Sequence, residues 1–210
     1  MESAPQRNHS LDALRVLAII LVFFAHAMRE VPFFPPLLNQ FIQMGTRGVD
    51  LFFVLSGYLV GTIAFREFNQ FSNISLLNFW RRRWFRTLPA YYVTLGFYVI
   101  KSLLPHSTGE LENPLSYLIF LQTYLSLLSH FVHSWSLCVE EHFYLFLPLF
   151  LNLLGICFRN IEKHIAWILI ALFFGMIILQ FMLSEAGSQD PRNSIWRTDA
   201  ITMGVLIASL

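Results

Sequence analysis

Residues 11–28, LDALRVLAIILVFFAHAM, form an apolar run of helix length that nonetheless holds an arginine and a histidine. A stretch of about 18 apolar residues approaches what a helix needs to cross a bilayer, and charged groups inside one are costly. Arg15 and His26 stand eleven residues apart. At ~100° and ~1.5 Å per residue they lie nearly on one face, about 16 Å apart along the axis. This spacing predicts an intramembrane polar line. Blander readings stay open on the residues alone. Arg15 could mark the cytoplasmic edge of a span with Asp12 one turn earlier as its partner, and His26 could be a hydrogen-bonded packing residue. Ala25, His26 and Ala27 also mimic a signal-peptide cleavage site after a basic start.

Composition excludes an ordinary soluble domain. The 210 residues are 56% hydrophobic, 16% aromatic and only 13% charged, with a mean hydropathy of +0.57. That balance predicts a polytopic membrane protein. The net charge of +1 carries no argument for a nucleic-acid partner, and none is expected. Cys138 and Cys157 both lie in apolar stretches, which indicates no disulfide.

Residues 1–10 read as a short cytoplasmic tail, and 11–210 as one membrane domain. Pro32, Pro35 and Pro36 mark residues 30–43 as a loop. A second span is expected over residues 49–65, where Gly48, Ser56, Gly57 and Gly61 permit close helix approach and Asp50 is a second unusual charge. Residues 66–87 read as a cytoplasmic loop because they hold Arg66, Arg81, Arg82, Arg83 and Arg86; this also places the N-terminus in the cytoplasm. Arginines so closely spaced also offer planar forks for phosphate or anionic lipid.

A third span follows Pro89. Residues 114–129, with Gln122 and Thr123 at their centre, are short for a crossing and read as a re-entrant or interfacial helix bordering a site. In SWSLCVEEHFYLFLP, residues 134–148, Ser136, Glu140 and Tyr144 recur every fourth position and share a helix face, while Glu141 points about 100° away. A buried carboxylate there could take a proton, orient an imidazole or balance an arginine. His130, His133, Glu140, Glu141 and His142 are close in sequence but match no metal-ligand spacing, so no metal is expected. Residues 165–183 form an uncharged span. RTDAITMGVLIASL then opens a run that stops after half a crossing, which makes the chain read as the N-terminal part of a longer one.

Four blocks together carry a family resemblance: LDALRVLAIILVFFAHA, GVDLFFVLSGYL, RRRWFRTLPAYY and SWSLCVEEHFYLFLP, with RTDAITMGVLIA as the start of a fifth. In this order they resemble the integral-membrane acyltransferase family 3, whose members O-acylate sugars and other hydroxyl acceptors. The resemblance implies an all-α transmembrane bundle, about six spans here plus the re-entrant helix, within a domain of roughly ten. It implies His26 as the essential catalytic residue with Arg15 as its partner, and it matches Arg82, Arg83 and Arg86 to the cytoplasmic arginine block. Glu140 matches the family's recurrent glutamate, with Trp135, Ser136 and Tyr144 around it, while His142 stands where glutamine is usual.

The resulting expectation is a multi-pass plasma- or inner-membrane enzyme that moves an acyl group from acyl-CoA, acetyl-CoA foremost, to a hydroxyl of a glycan or lipid-linked carbohydrate. His26 would act as general base, Glu140 would orient the imidazole, and Arg15 would guide the donor or stabilise developing charge. Arg82, Arg83 and Arg86 would hold the CoA phosphates, and Asp50, Ser56, Trp135, Ser136 and Tyr144 would contact substrate. The lipid bilayer is the remaining partner, and the 210-residue chain alone is expected to be inactive. Two other classes use the same residues: a proton-coupled transporter or flippase of a polar substrate, and a structural membrane subunit.

Overall fold

The computed structural model is helical, with no strand, across the residues it describes: 9–29, 36–104, 114–123, 131, 134–157, 164–185 and 198–210, the side chains of 25–29, 36–46, 114, 181 and 183–185 excepted. Within these residues the chain forms α1 (His9–Arg29), α2 (Pro36–Phe71), α3 (Leu76–Ser102), α4 (Pro114–Leu118), α5 (Ser134–Cys157), α6 (Ile165–Glu185) and α7 (Thr198–Ser209).

Two sequence expectations change. The proline-rich segment is a loop only in part, because α2 begins at Pro36. Proline is well suited to a first helical turn, where its missing N–H would have no partner anyway. The arginine-rich segment is not a loop. α2 continues to Phe71, the chain reverses through Ser72 at a φ of 54°, and α3 starts at Leu76 and carries Arg81, Arg82, Arg83 and Arg86. Of the segment expected to re-enter, the described residues 114–123 form the short α4, followed by a turn in which Phe120 has a φ of 58°. Residues 124–130 lie outside the described residues.

α2 is the helix on which the others assemble, since α1, α5 and α7 all pack against it. Its glycines explain why. Gly57 meets the backbone of Ile201 on α7, Gly204 in turn meets Val54 on α2, and Gly61 abuts Ala208 and Val205. Both helices present small residues one turn apart, so the backbones come close enough for dispersion along this stretch. Gly48 seats α1, with Leu21, Ala18 and Val22 around it.

The direction of α1 follows from chain length. The link from Arg29 to Pro36 can reach about 25 Å. With Gly48 against residues 18–22, a parallel α1 would need roughly 30 Å, so α1 and α2 run antiparallel. α5 runs the same way as α2, because Trp135 touches Phe53, Glu140 touches Ser56 and Gly155 touches Phe68.

The core runs between α2, α3, α5, α6 and α7, where Val60, Phe68, Phe79, Leu151 and Val205 are among the buried side chains. The turn between α2 and α3 is anchored to this core by Asn152. Its Nδ2 donates to the Ile74 carbonyl at 2.9 Å, and its Oδ1 accepts the Ile74 N–H at 2.7 Å.

Outward faces are apolar as well: Phe23, Phe97, Phe146 and Trp167 are each about two-thirds exposed. Such surface on every side suits hydrocarbon rather than water. Among the described residues, two stretches are long and apolar enough to cross a membrane, Arg47–Phe71 and Ser134–Cys157, against the six expected; the apolar stretches Ile165–Gln180 and Thr198–Ser209 are shorter.

Candidate active site

Glu140 sits one turn before Tyr144 on α5, and both point at α2. Glu140 is 5% exposed and Tyr144 3%. The Tyr144 hydroxyl donates to Glu140 Oε2 at 2.7 Å. Ser56 of α2 donates to the same oxygen at 3.3 Å and also touches the Tyr144 hydroxyl. A buried carboxylate is tolerable only with such partners. The expected face of Ser136, Glu140 and Tyr144 therefore exists, and its glutamate and tyrosine meet Ser56 across a helix interface.

Arg83 of α3 lies on the other side of Tyr144, its guanidinium carbon 5.2 Å from the ring centroid. Glu141, turned away from Glu140 as the helical pitch requires, faces α3, where the Thr87 hydroxyl donates to Oε1 at 2.8 Å. The two adjacent glutamates thus tie α5 to two different helices. Neither Thr87 nor Glu141 is among the site residues read from sequence, although the ~100° offset of Glu141 points it to a second helix.

A cavity of about 900 Å³ opens between the end of α2 and the start of α3, lined by Arg66, Glu67, Gln70, Asn73, Arg82 and Arg83. Ser75 and Asn78, at the N-terminus of α3, also face it, and no acidic residue occupies that first turn. Arginine forks and a helix N-terminus both favour anions. The one carboxylate in the wall, Glu67, is engaged by the Ser75 N–H at 2.8 Å. Arg82 and Arg83 therefore converge on one space. Arg86 is exposed on α3 and does not line it.

Arg15 pairs with Asp12 at 3.2 Å, the local partner that the sequence offered. His26 lies on the α1 backbone, and its side chain is outside the described residues. The antiparallel packing nevertheless fixes its level. Ser56 lies two turns beyond Gly48 in one direction, and His26 lies beyond the Gly48 contact in the other, so the two backbones are separated by roughly 20 Å along α2. Arg15 falls within about one turn of the Ser56 level. The Glu140 carboxylate is thus taken by Tyr144 and Ser56, on the arginine side of the molecule, rather than placed beside α1 at His26.

The remaining expected residues lie between these levels. Asp50 is half-buried near the Gly48 contact. Trp135 stands edge-on to Phe53, with ring centroids 5.8 Å apart, and Ser136 follows it on α5. The substrate set read from sequence is thus divided. Asp50 lies beside Gly48, Trp135 packs with Phe53 and Ile201 between α2 and α7, and Ser56 and Tyr144 lie toward the arginines.

Among the described residues no three His, Cys, Asp or Glu side chains converge as a metal site. His130 and His133 lie outside the described residues. His142 is occupied by the Cys138 carbonyl, 2.8 Å from Nδ1.

Comparison with known proteins supplies the family. OatA of Staphylococcus aureus (strain NCTC 8325 / PS 47), an O-acetyltransferase, is 28% identical over 98% of this chain and 35% of its own. YrhL of Bacillus subtilis (strain 168), named for peptidoglycan O-acetylation, is 30% identical over 94% of this chain and 32% of its own. The chain spans about a third of the length of the curated relatives it matches. No solved structure matches it. The acyltransferase domain family matches residues 8–198, nearly the whole chain and all four blocks that carry the sequence resemblance. The chain therefore belongs to acyltransferase family 3.

Proposed function

We propose that this chain is the donor-binding portion of a multi-pass membrane O-acyltransferase that moves an acetyl group from acetyl-CoA to a hydroxyl of a cell-surface glycan. The observation that carries this reading is the cavity between α2 and α3, where Arg82, Arg83 and Arg66 face one space beside a helix N-terminus. A pyrophosphate matches that chemistry, because guanidinium forks and backbone N–H groups both serve phosphate oxygens. The glycan acceptor rests on the relatives' names, one of which specifies peptidoglycan.

In this reading the N-terminus and the arginine-bearing ends of α2 and α3 face the cytoplasm, where arginine excess orients a membrane protein. His26, farther along the bundle, is the general base that takes the acceptor hydroxyl proton as the oxygen attacks the thioester carbonyl. The tetrahedral intermediate then collapses, the C–S bond breaks, and the proton passes to the leaving CoA thiolate. Arg15 lies on the donor side and stabilises negative charge there. Asp50, the nearest of the expected polar residues to the His26 level, serves the acceptor together with Trp135 and Ser136. Family membership favours group transfer over proton-coupled transport by the same polar residues.

The test is acetyl transfer by the full-length protein in proteoliposomes. With labelled acetyl-CoA supplied on one side, acetylated glycan should form, and Arg82→Ala with Arg83→Ala should raise the donor KM. Flux of an unmodified substrate without acetyl transfer would overturn the proposal.

A further inference from the structure

We infer that Tyr144 is a positioning residue for the donor, holding the Arg83 guanidinium at the cavity wall by its ring while Glu140 and Ser56 hold Tyr144. The inference rests on the donor reading above. Tyr144 was expected from sequence to touch substrate itself, yet it is buried and its hydroxyl is spent on Glu140 and Ser56. Its ring remains for Arg83, whose guanidinium carbon lies over it at 5.2 Å. Arg83 is itself a wall residue of the arginine-lined cavity.

The arrangement suits a phosphate clamp. A long arginine left free would have to be ordered each time an anion binds, at a cost in rotamer entropy. A ring quadrupole attracts the cation without neutralising it, so the guanidinium edge keeps its N–H donors for a ligand. A carboxylate in the ring's place would form an ion pair and compete with the phosphate for those donors. The glutamate is instead held at the hydroxyl end of the ring, where its partners are the Tyr144 and Ser56 hydroxyls. The backbone of Tyr144 is fixed as well, since its carbonyl accepts the Trp80 indole N–H at 3.2 Å. Trp80 lies on the same helix as Arg83, so both groups that meet at the ring are held in register.

The experiment uses the full-length protein in lipid nanodiscs, with acetyl-CoA and with 3′-phosphoadenosine 5′-diphosphate, which has the pyrophosphate and the 3′-phosphate but no acyl arm. Tyr144→Leu should weaken both ligands by about 2- to 30-fold, the range of a partly desolvated cation–π contact. The loss should nearly vanish in an Arg83→Ala background, because the tyrosine then has no cation to hold. Should Tyr144→Leu fail to insert or fold, phenylalanines of increasing ring fluorination at position 144 keep the shape and remove the quadrupole stepwise. Affinity should then fall with fluorination relative to Tyr144→Phe. If Arg83→Ala weakens binding but fluorination leaves it flat, or if the Tyr144→Leu and Arg83→Ala losses simply add, the positioning role is overturned. If Arg83→Ala itself binds both ligands normally, the donor reading fails first.

Discussion

The indole N–H of Trp80 on α3 donates to the backbone carbonyl of Tyr144 on α5 at 3.2 Å. Pro148, one turn after Tyr144 and buried inside α5, has no N–H with which to reach that carbonyl. In an apolar surrounding an unpaired carbonyl is expensive, so the proline creates a vacancy and another helix fills it. The helix defect becomes a joint between α3 and α5, beside the tyrosine that supports Arg83.

Trp80→Phe should therefore lower stability by roughly 1–3 kcal/mol, the cost of a buried acceptor left without its donor. In a Pro148→Ala background the helix supplies its own N–H, and most of that penalty should disappear. Thermal unfolding in detergent of both single variants and the double variant measures this. Additive losses would show that the indole acts only by packing.

The crossing of α2 and α7 has no room for a Cβ. Gly57→Leu or Gly204→Leu drives a side chain into the backbone of the facing helix. Each should cost about 1–3 kcal/mol or more, because overpacked backbone contacts cannot be relieved by a rotamer change. Gly96, with nothing within 4 Å of a built Cβ, is the control. Gly96→Ala should be neutral or up to about 1 kcal/mol stabilising through helix propensity. Comparative melting in one detergent checks the pair.

Arg82→Ala and Arg83→Ala should each raise the acetyl-CoA KM by roughly 10- to 100-fold with a smaller change in kcat, as expected when charge-assisted hydrogen bonds contribute uniform binding. Lysine at either place should recover only part of this, because the charge survives without the planar fork. Arg86, exposed and outside the cavity wall, should matter less. Steady-state kinetics of the full-length enzyme decides it, and an Arg86→Ala effect equal to the other two would move the phosphate site up α3.

For His26 the expected loss on replacement by alanine or glutamine is about 10²- to 10⁴-fold in acetyl transfer, with insertion intact. Because Glu140 lies roughly 20 Å along the bundle from the His26 backbone, Glu140→Gln should leave the reactivity of His26 toward an imidazole-modifying reagent unchanged across pH. A shift in that reactivity would place the glutamate beside the histidine and refute the two-level arrangement.

Sequence alone determined what periodicity and hydrophobicity encode. The helical class, the shared face of Glu140 and Tyr144, the divergence of Glu141, and the small residues at Gly48, Gly57 and Gly61 all follow from about 3.6 residues per turn. The family was legible too, because four blocks in order are specific where single motifs are not. Periodicity says which way a side chain faces on its own helix but nothing about which helix it meets. Only the tertiary packing paired Glu140 with Ser56, set Arg83 on Tyr144, and brought Arg82 and Arg83 into one cavity while leaving Arg86 outside. The orphan carbonyl at Tyr144 could be inferred from Pro148, but its donor, Trp80, lies 64 positions away in sequence. The same limit separated Glu140 from His26. Levels along a bundle are set by where helices touch, here at Gly48, and that contact is a property of two helices together.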